Sequence, residues 1–156
     1  MSGTTDRELL HSWWNDAWSE GLWTASWAKS LEGLTAAQAA WSPPSQSPDA
    51  GTRHSIWQIV LHMVFWREDA LARLAGAPKP TQDQLARLNF PVITDTSEDA
   101  WAATRQRFAD SQQRIAAALA DGAANIERLR YILPHDCYHF GQINLIRAML
   151  GFPPIE

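Results

Sequence analysis

The chain has 156 residues, a net charge of −4 and an unusual nine tryptophans. Its length suits one domain over residues 1–156, and a composition 46% hydrophobic and 19% charged excludes a disordered or low-complexity chain. The acidic balance argues against nucleic acid as a partner, because phosphates are neutralised by Lys and Arg. No apolar stretch approaches the roughly 18 residues of a membrane span, so a membrane is not expected either. A single cysteine, Cys137, excludes an internal disulfide. Met1-Ser2-Gly3-Thr4 has no basic region followed by an apolar run, so it does not read as a signal peptide, and the expected setting is cytoplasmic.

Thr5 and Glu8 have capping-box spacing, which predicts a first helix that starts after Thr5 and runs to about Leu31. Leu34 to Arg53, with Pro43, Pro44 and Pro48, reads as a loop. Ser55 and Gln58 form a second capping box and predict a helix to about Leu74, stopped by Gly76. Residues 76–95 contain Pro78, Pro80 and Pro91 and are far longer than a helical hairpin needs, so a crossover is expected, with a short helix near Gln82–Leu88. The Asp95–Glu98 and Thr96–Asp99 spacings start a third helix that runs to about Ala120, before Gly122. A fourth spans about Ile126 to Leu150, and Pro134 inside it predicts either a kink or a start displaced to near Leu133. No segment alternates with a period of two. The expected fold is all-α: a four-helix bundle with a long crossover between the second and third helices.

Six tryptophans fall within the first 41 residues. On a continuous first helix, Trp14 and Trp18 share one face, while Trp13, Trp23 and Trp27 gather on another. One bundle core covers only one such face. The second predicts a homodimer interface or a cavity wall.

The fourth helix carries the chemistry. His135 and His139 stand at i, i+4 on the apolar stripe with Ile132, Ile143 and Ile146, close enough to share one metal ion. The alternative is a pair of hydrogen-bonded core histidines. His62, at the edge of the second helix's apolar stripe, is a third imidazole able to complete a facial site with open positions. Such a donor set suits Zn, Ni, Fe or Cu. Gln142 lies on the histidine side of the wheel, and Asp136 is either an acceptor that orients an imidazole or an edge carboxylate. Trp66, one turn from His62, is the expected pocket wall. His11 sits near a polar stripe and His54 precedes the second helix, solvated or at a pocket mouth. Cys137 faces away from the histidines and reads as a small buried or interface residue.

The segment His135-Asp136-Cys137-Tyr138-His139-Phe140-Gly141-Gln142 resembles the last-helix signature of the DinB/YfiT-like family, and Ser55-Ile56-Trp57-Gln58-Ile59-Val60-Leu61-His62 resembles its second-helix motif. The resemblance covers essentially the whole chain. It implies a metal-binding bundle with His62, His135 and His139 as ligands, one divalent ion (zinc or nickel foremost) and a homodimer. Relatives that use bacillithiol or mycothiol imply a low-molecular-weight thiol as cosubstrate and a small electrophile as its target. A rival is hydrolysis by metal-bound water, for which Asp69 and Asp136 are the candidate bases. A third reading is a metal-binding stress-response dimer without turnover.

Overall fold

In a computed structural model that describes residues 5–45, 47, 51 and 53–154, every regular element is helical. Met1–Thr4 and Pro48, read above, lie outside the described residues. Helix α1 (Asp6–Ser19) starts as predicted: Thr5 accepts from the Glu8 amide while the Glu8 carboxylate accepts from the Thr5 amide. It does not run on to Leu31. Gly21 adopts φ +84°, its amide closes onto the Asp16 carbonyl at 2.7 Å, and a Cβ there would lie 2.1 Å from the Thr24 carbonyl oxygen. The chain turns, and Ser26 caps a separate short helix, α2 (Trp27–Leu31).

That break decides where the tryptophans go. On α2, Trp27 is turned inward, stacked on Phe140 at 5.2 Å and edge-on to Trp14 at the same distance. It wedges α2 between α1 and the last helix. The expected outer face of Trp13, Trp23 and Trp27 therefore does not exist: Trp27 is buried, whereas Trp13 and Trp23 are exposed. Trp14, Trp57 and Trp101 are also buried, and each satisfies its indole N–H, on the Gln112 carbonyl, Thr104 Oγ1 and the Leu34 carbonyl respectively. Four of the nine tryptophans thus fill the core.

Within the expected loop, Thr35 and Gln38 make a capping box for a one-turn helix, α3 (Ala36–Ala40). Helix α4 (Ile56–Leu74) is capped by Ser55 and Gln58 as predicted. The crossover carries α5 (Gln82–Leu88), where the sequence placed it. Helix α6 (Glu98–Ala120) is capped by Ser97 Oγ on the Ala100 amide, and Asp95, two residues earlier, instead accepts from the Ser97 amide. After a 3-10 turn (Ile126–Arg128), α7 (Ile132–Met149) starts late, which places Pro134 in its first turn. The first ladder bond is His135 N–H to the Tyr131 carbonyl, so Pro134 removes none and the helix needs no kink.

Helices α1, α4, α6 and α7 form the four-helix bundle; α4 packs on both α6 and α7, and α6 on α1. Helix α2 closes the seam between α1 and α7, and Arg147 of α7 donates to the Ser30 and Glu32 carbonyls at its C-terminal end. No described helix is long and apolar enough to cross a membrane.

Candidate metal centre

Helix α4 brings His62, and the first two turns of α7 bring His135 and His139, to one point. One ligating nitrogen from each lies within 4.8 Å of the others. His62 and His139 are buried and His135 is half-buried. The three ring centroids are 4.5 to 5.1 Å apart.

Each ring commits its Nδ1 to an oxygen. His62 Nδ1 faces the Asn89 carbonyl at 3.0 Å, His135 Nδ1 faces Asp136 Oδ1 at 2.8 Å, and His139 Nδ1 faces Gln142 Oε1 at 2.7 Å. Gln142 Nε2 in turn donates to Tyr138 Oη at 3.1 Å. The Asn89 carbonyl and the Asp136 carboxylate accept, so His62 and His135 donate Nδ1–H to them, and a neutral ring so held presents its Nε2 lone pair. His62 Nε2 and His135 Nε2 face each other at 3.1 Å. Burial, followed by the neighbouring His139 and His135, pushes the His62 pKa down to about 4. Burial also lowers that of His139, against the hydrogen bond with Gln142 Oε1. Two neutral rings with converging lone pairs fit a divalent cation, because ligation needs unprotonated imidazole and oriented Nδ1–H groups.

The crossover seals one side of the cluster. The Asn89 carbonyl takes His62 Nδ1, Asn89 Oδ1 takes the Trp66 indole N–H at 2.9 Å, and the Pro91 carbonyl takes Gln58 Nε2 at 3.1 Å. Phe90 is stacked between His62, at 4.1 Å, and His54, at 3.7 Å. His139 and Gln142 open on a cavity of about 650 Å³ whose wall also includes Arg53, His54, Phe90 and Tyr138.

The remaining sequence candidates sort clearly. Asp136 is the orienting acceptor, not an edge carboxylate: it is fully buried, bonded to His135 and to Arg67. Gln142 holds His139 as its wheel position suggests. Trp66 touches His62 edge-on at 6.4 Å but lines a separate cavity of about 300 Å³, so it is no wall of the one beside His139. Asp69 pairs with Arg73 at 3.6 Å and does not line the cavity beside His139. His11 bonds Asn15 within α1, away from the cluster. Cys137 is exposed rather than buried. Partial desolvation and the Asp136 carboxylate raise its thiol pKa, which disfavours a nucleophilic role.

Asn89, Phe90 and Arg67 were not singled out in the sequence. The crossover's length was a signal for the first two. For Arg67 the signal was its register, since Ile56, Val60, Met63 and Arg67 lie on one buried stripe of α4. No curated protein and no solved structure matches the chain. The sequence model of the DinB superfamily matches residues 20–150, which include the whole three-histidine group, and the chain belongs to that superfamily.

Proposed function

We propose that this protein is a divalent-metal-dependent S-transferase that joins a low-molecular-weight thiol of the bacillithiol or mycothiol type to a small electrophile, with zinc or nickel held by His62, His135 and His139. The observation that supports it is the convergence of one ring nitrogen from each of three histidines at the side of a cavity large enough for a small molecule. A divalent cation on three neutral nitrogens supplies a Lewis acid that lowers the pKa of a thiol joining it. His62 and His135 are clamped by the crossover and by Asp136, so the cavity approaches the centre from the His139 side. Arg53 is the one charged lining residue of that cavity among the described ones, and it favours a ligand with an anionic group.

Hydrolysis is less well supported. A carboxylate base near the attacking water is the usual requirement, and no Asp or Glu lines the cavity among the described residues. Asp136 has both oxygens engaged and Asp69 is paired. A homodimer belongs to the same proposal, with Trp13 and Trp23 among the apolar surface left for it; sedimentation at micromolar concentration tests that part.

The decisive assay incubates metal-loaded protein with bacillithiol or mycothiol and a fluorogenic electrophile. The thiol releases its proton to solvent, the sulfur–carbon bond forms, and the leaving group departs with its electron pair. A rate above background that is lost in His139→Ala supports transfer. No rate with either thiol leaves the hydrolytic or non-catalytic readings.

A further inference from the structure

Arg67 lies five residues beyond His62 on α4 and is wholly buried. Its Nε donates to Asp136 Oδ2 at 2.6 Å, and its Nη1 donates to Ser111 Oγ at 3.0 Å and to the Phe108 carbonyl at 3.3 Å. Its guanidinium carbon sits 3.9 Å from the centre of the Phe108 ring, 4.7 Å from Trp14 and 5.3 Å from Trp27. One side chain thus spans from α4 to α1, α2, α6 and α7.

Stability alone gives a poor reason for this arrangement. A fully buried ion pair loses its hydration, and an apolar pair of similar volume commonly serves the fold as well. What the pair does provide is a fixed carboxylate. Oδ2 of Asp136 is held by Arg67, and Oδ1 faces His135 Nδ1 at 2.8 Å, so neither oxygen is free to turn away. The other two histidines rest on neutral acceptors, the Asn89 carbonyl and the Gln142 amide, which need no counter-charge. His135 is also the most exposed of the three rings, with 28% of its side chain open, so packing restrains it least. The planar fork of arginine suits this task. Its Nε and Nη1 point along different directions, and a lysine ammonium lacks that fixed geometry.

We infer that Arg67 is a positioning residue of the metal centre: it anchors Asp136 so that Asp136 holds the His135 ring with Nε2 turned toward His62 and His139. The inference rests on the three-histidine site proposed above. Removing an outer hydrogen-bond partner of a metal-ligating histidine weakens metal affinity by about 10- to 100-fold.

The test titrates Zn(II) against a chromophoric chelator in wild type, in Arg67→Met/Asp136→Leu and in Arg67→Lys, beside thermal melts. The double variant replaces the ion pair with apolar volume, so it is expected to melt cooperatively yet bind zinc roughly 10- to 100-fold more weakly. Arg67→Lys is expected to weaken binding less, and it carries the test should the double variant not fold. Long-range ¹H–¹⁵N spectra of the metal-free protein give an independent readout. His135 should show a single Nδ1–H tautomer in wild type and mixed tautomers in the variants. Folded variants with wild-type zinc affinity and an unchanged His135 tautomer would overturn the positioning role and leave the site intact. A wild-type protein that takes up no zinc would overturn both.

Discussion

His62 Nε2 stands 3.1 Å from His135 Nε2, while both rings donate their Nδ1–H to oxygens, the Asn89 carbonyl and Asp136 Oδ1. With both rings neutral, two lone pairs meet at that separation and repel. Burial disfavours a proton on His62, whereas a metal ion shared by the two nitrogens satisfies both.

The first prediction concerns pH. Folding pushes the His62 pKa from its ordinary 6.5 down to about 4, chiefly by burial, and lowers that of His139 in the same direction. Between those values the unfolded chain binds more protons than the folded one, so stability rises with pH there and is lost as pH falls from about 6.5 toward 4. Above that window these groups leave stability flat. Urea midpoints of the metal-free protein are expected to fall from about pH 7 to about pH 4.5, with a shallower fall in His62→Gln. A midpoint that stays level or rises on acidification contradicts this reading of the cluster.

The second prediction concerns Trp27. It is buried between Phe140 and Trp14 and joins α2 to two long helices. Trp27→Ala is expected to destabilise by about 3–5 kcal/mol, as large aromatic truncations in cores do. Trp23, fully exposed, is expected to tolerate the same change within about 0.5 kcal/mol. Chemical denaturation of both variants separates them; equal losses would refute the broken first helix.

Gly21 provides a third test. Its positive φ and the 2.1 Å approach of a Cβ to the Thr24 carbonyl leave no room for a side chain. Gly21→Ala is expected to destabilise by about 1–3 kcal/mol, read from the same denaturation curves. A neutral substitution would mean that α1 runs through this turn.

These cases show which parts of the fold were legible in the sequence. The caps at Thr5 and Ser55, the short helix at Gln82–Leu88 and the end of α6 at Ala120 follow local chemistry, so spacing along the chain predicts them. The break after Ser19 does not, because an isolated Gly21 in an aromatic-rich helical pattern reads as tolerated. Only the tertiary packing of Trp27 on Phe140 shows why the chain turns there. In the site, helical periodicity alone put His135 and His139 on one face. The carbonyl that orients His62 comes from Asn89, 27 residues away on a crossover with no periodicity to read. Arg67 was hidden for another reason. A buried arginine breaks the expectation that a charge marks the solvent side of a helix.

A fourth prediction concerns ligand choice. Arg53 has no ion pair among the described residues and lines the cavity beside His139. Arg53→Ala is expected to raise KM for an anionic thiol by about fivefold, the size of a single solvent-accessible charge contact, with metal content unchanged. Steady-state kinetics with charged and neutral thiols checks it. An equal effect on both would remove Arg53 from recognition.

The most direct measurement of the central claim is metal stoichiometry and affinity in wild type beside His62→Ala, His135→Ala and His139→Ala, by isothermal titration with Zn(II) and elemental analysis of the purified proteins. The account predicts one ion per wild-type chain and a large loss of affinity in each variant, while the melts stay cooperative. Zinc bound equally well by all three variants, or no zinc bound by folded wild type, would contradict it.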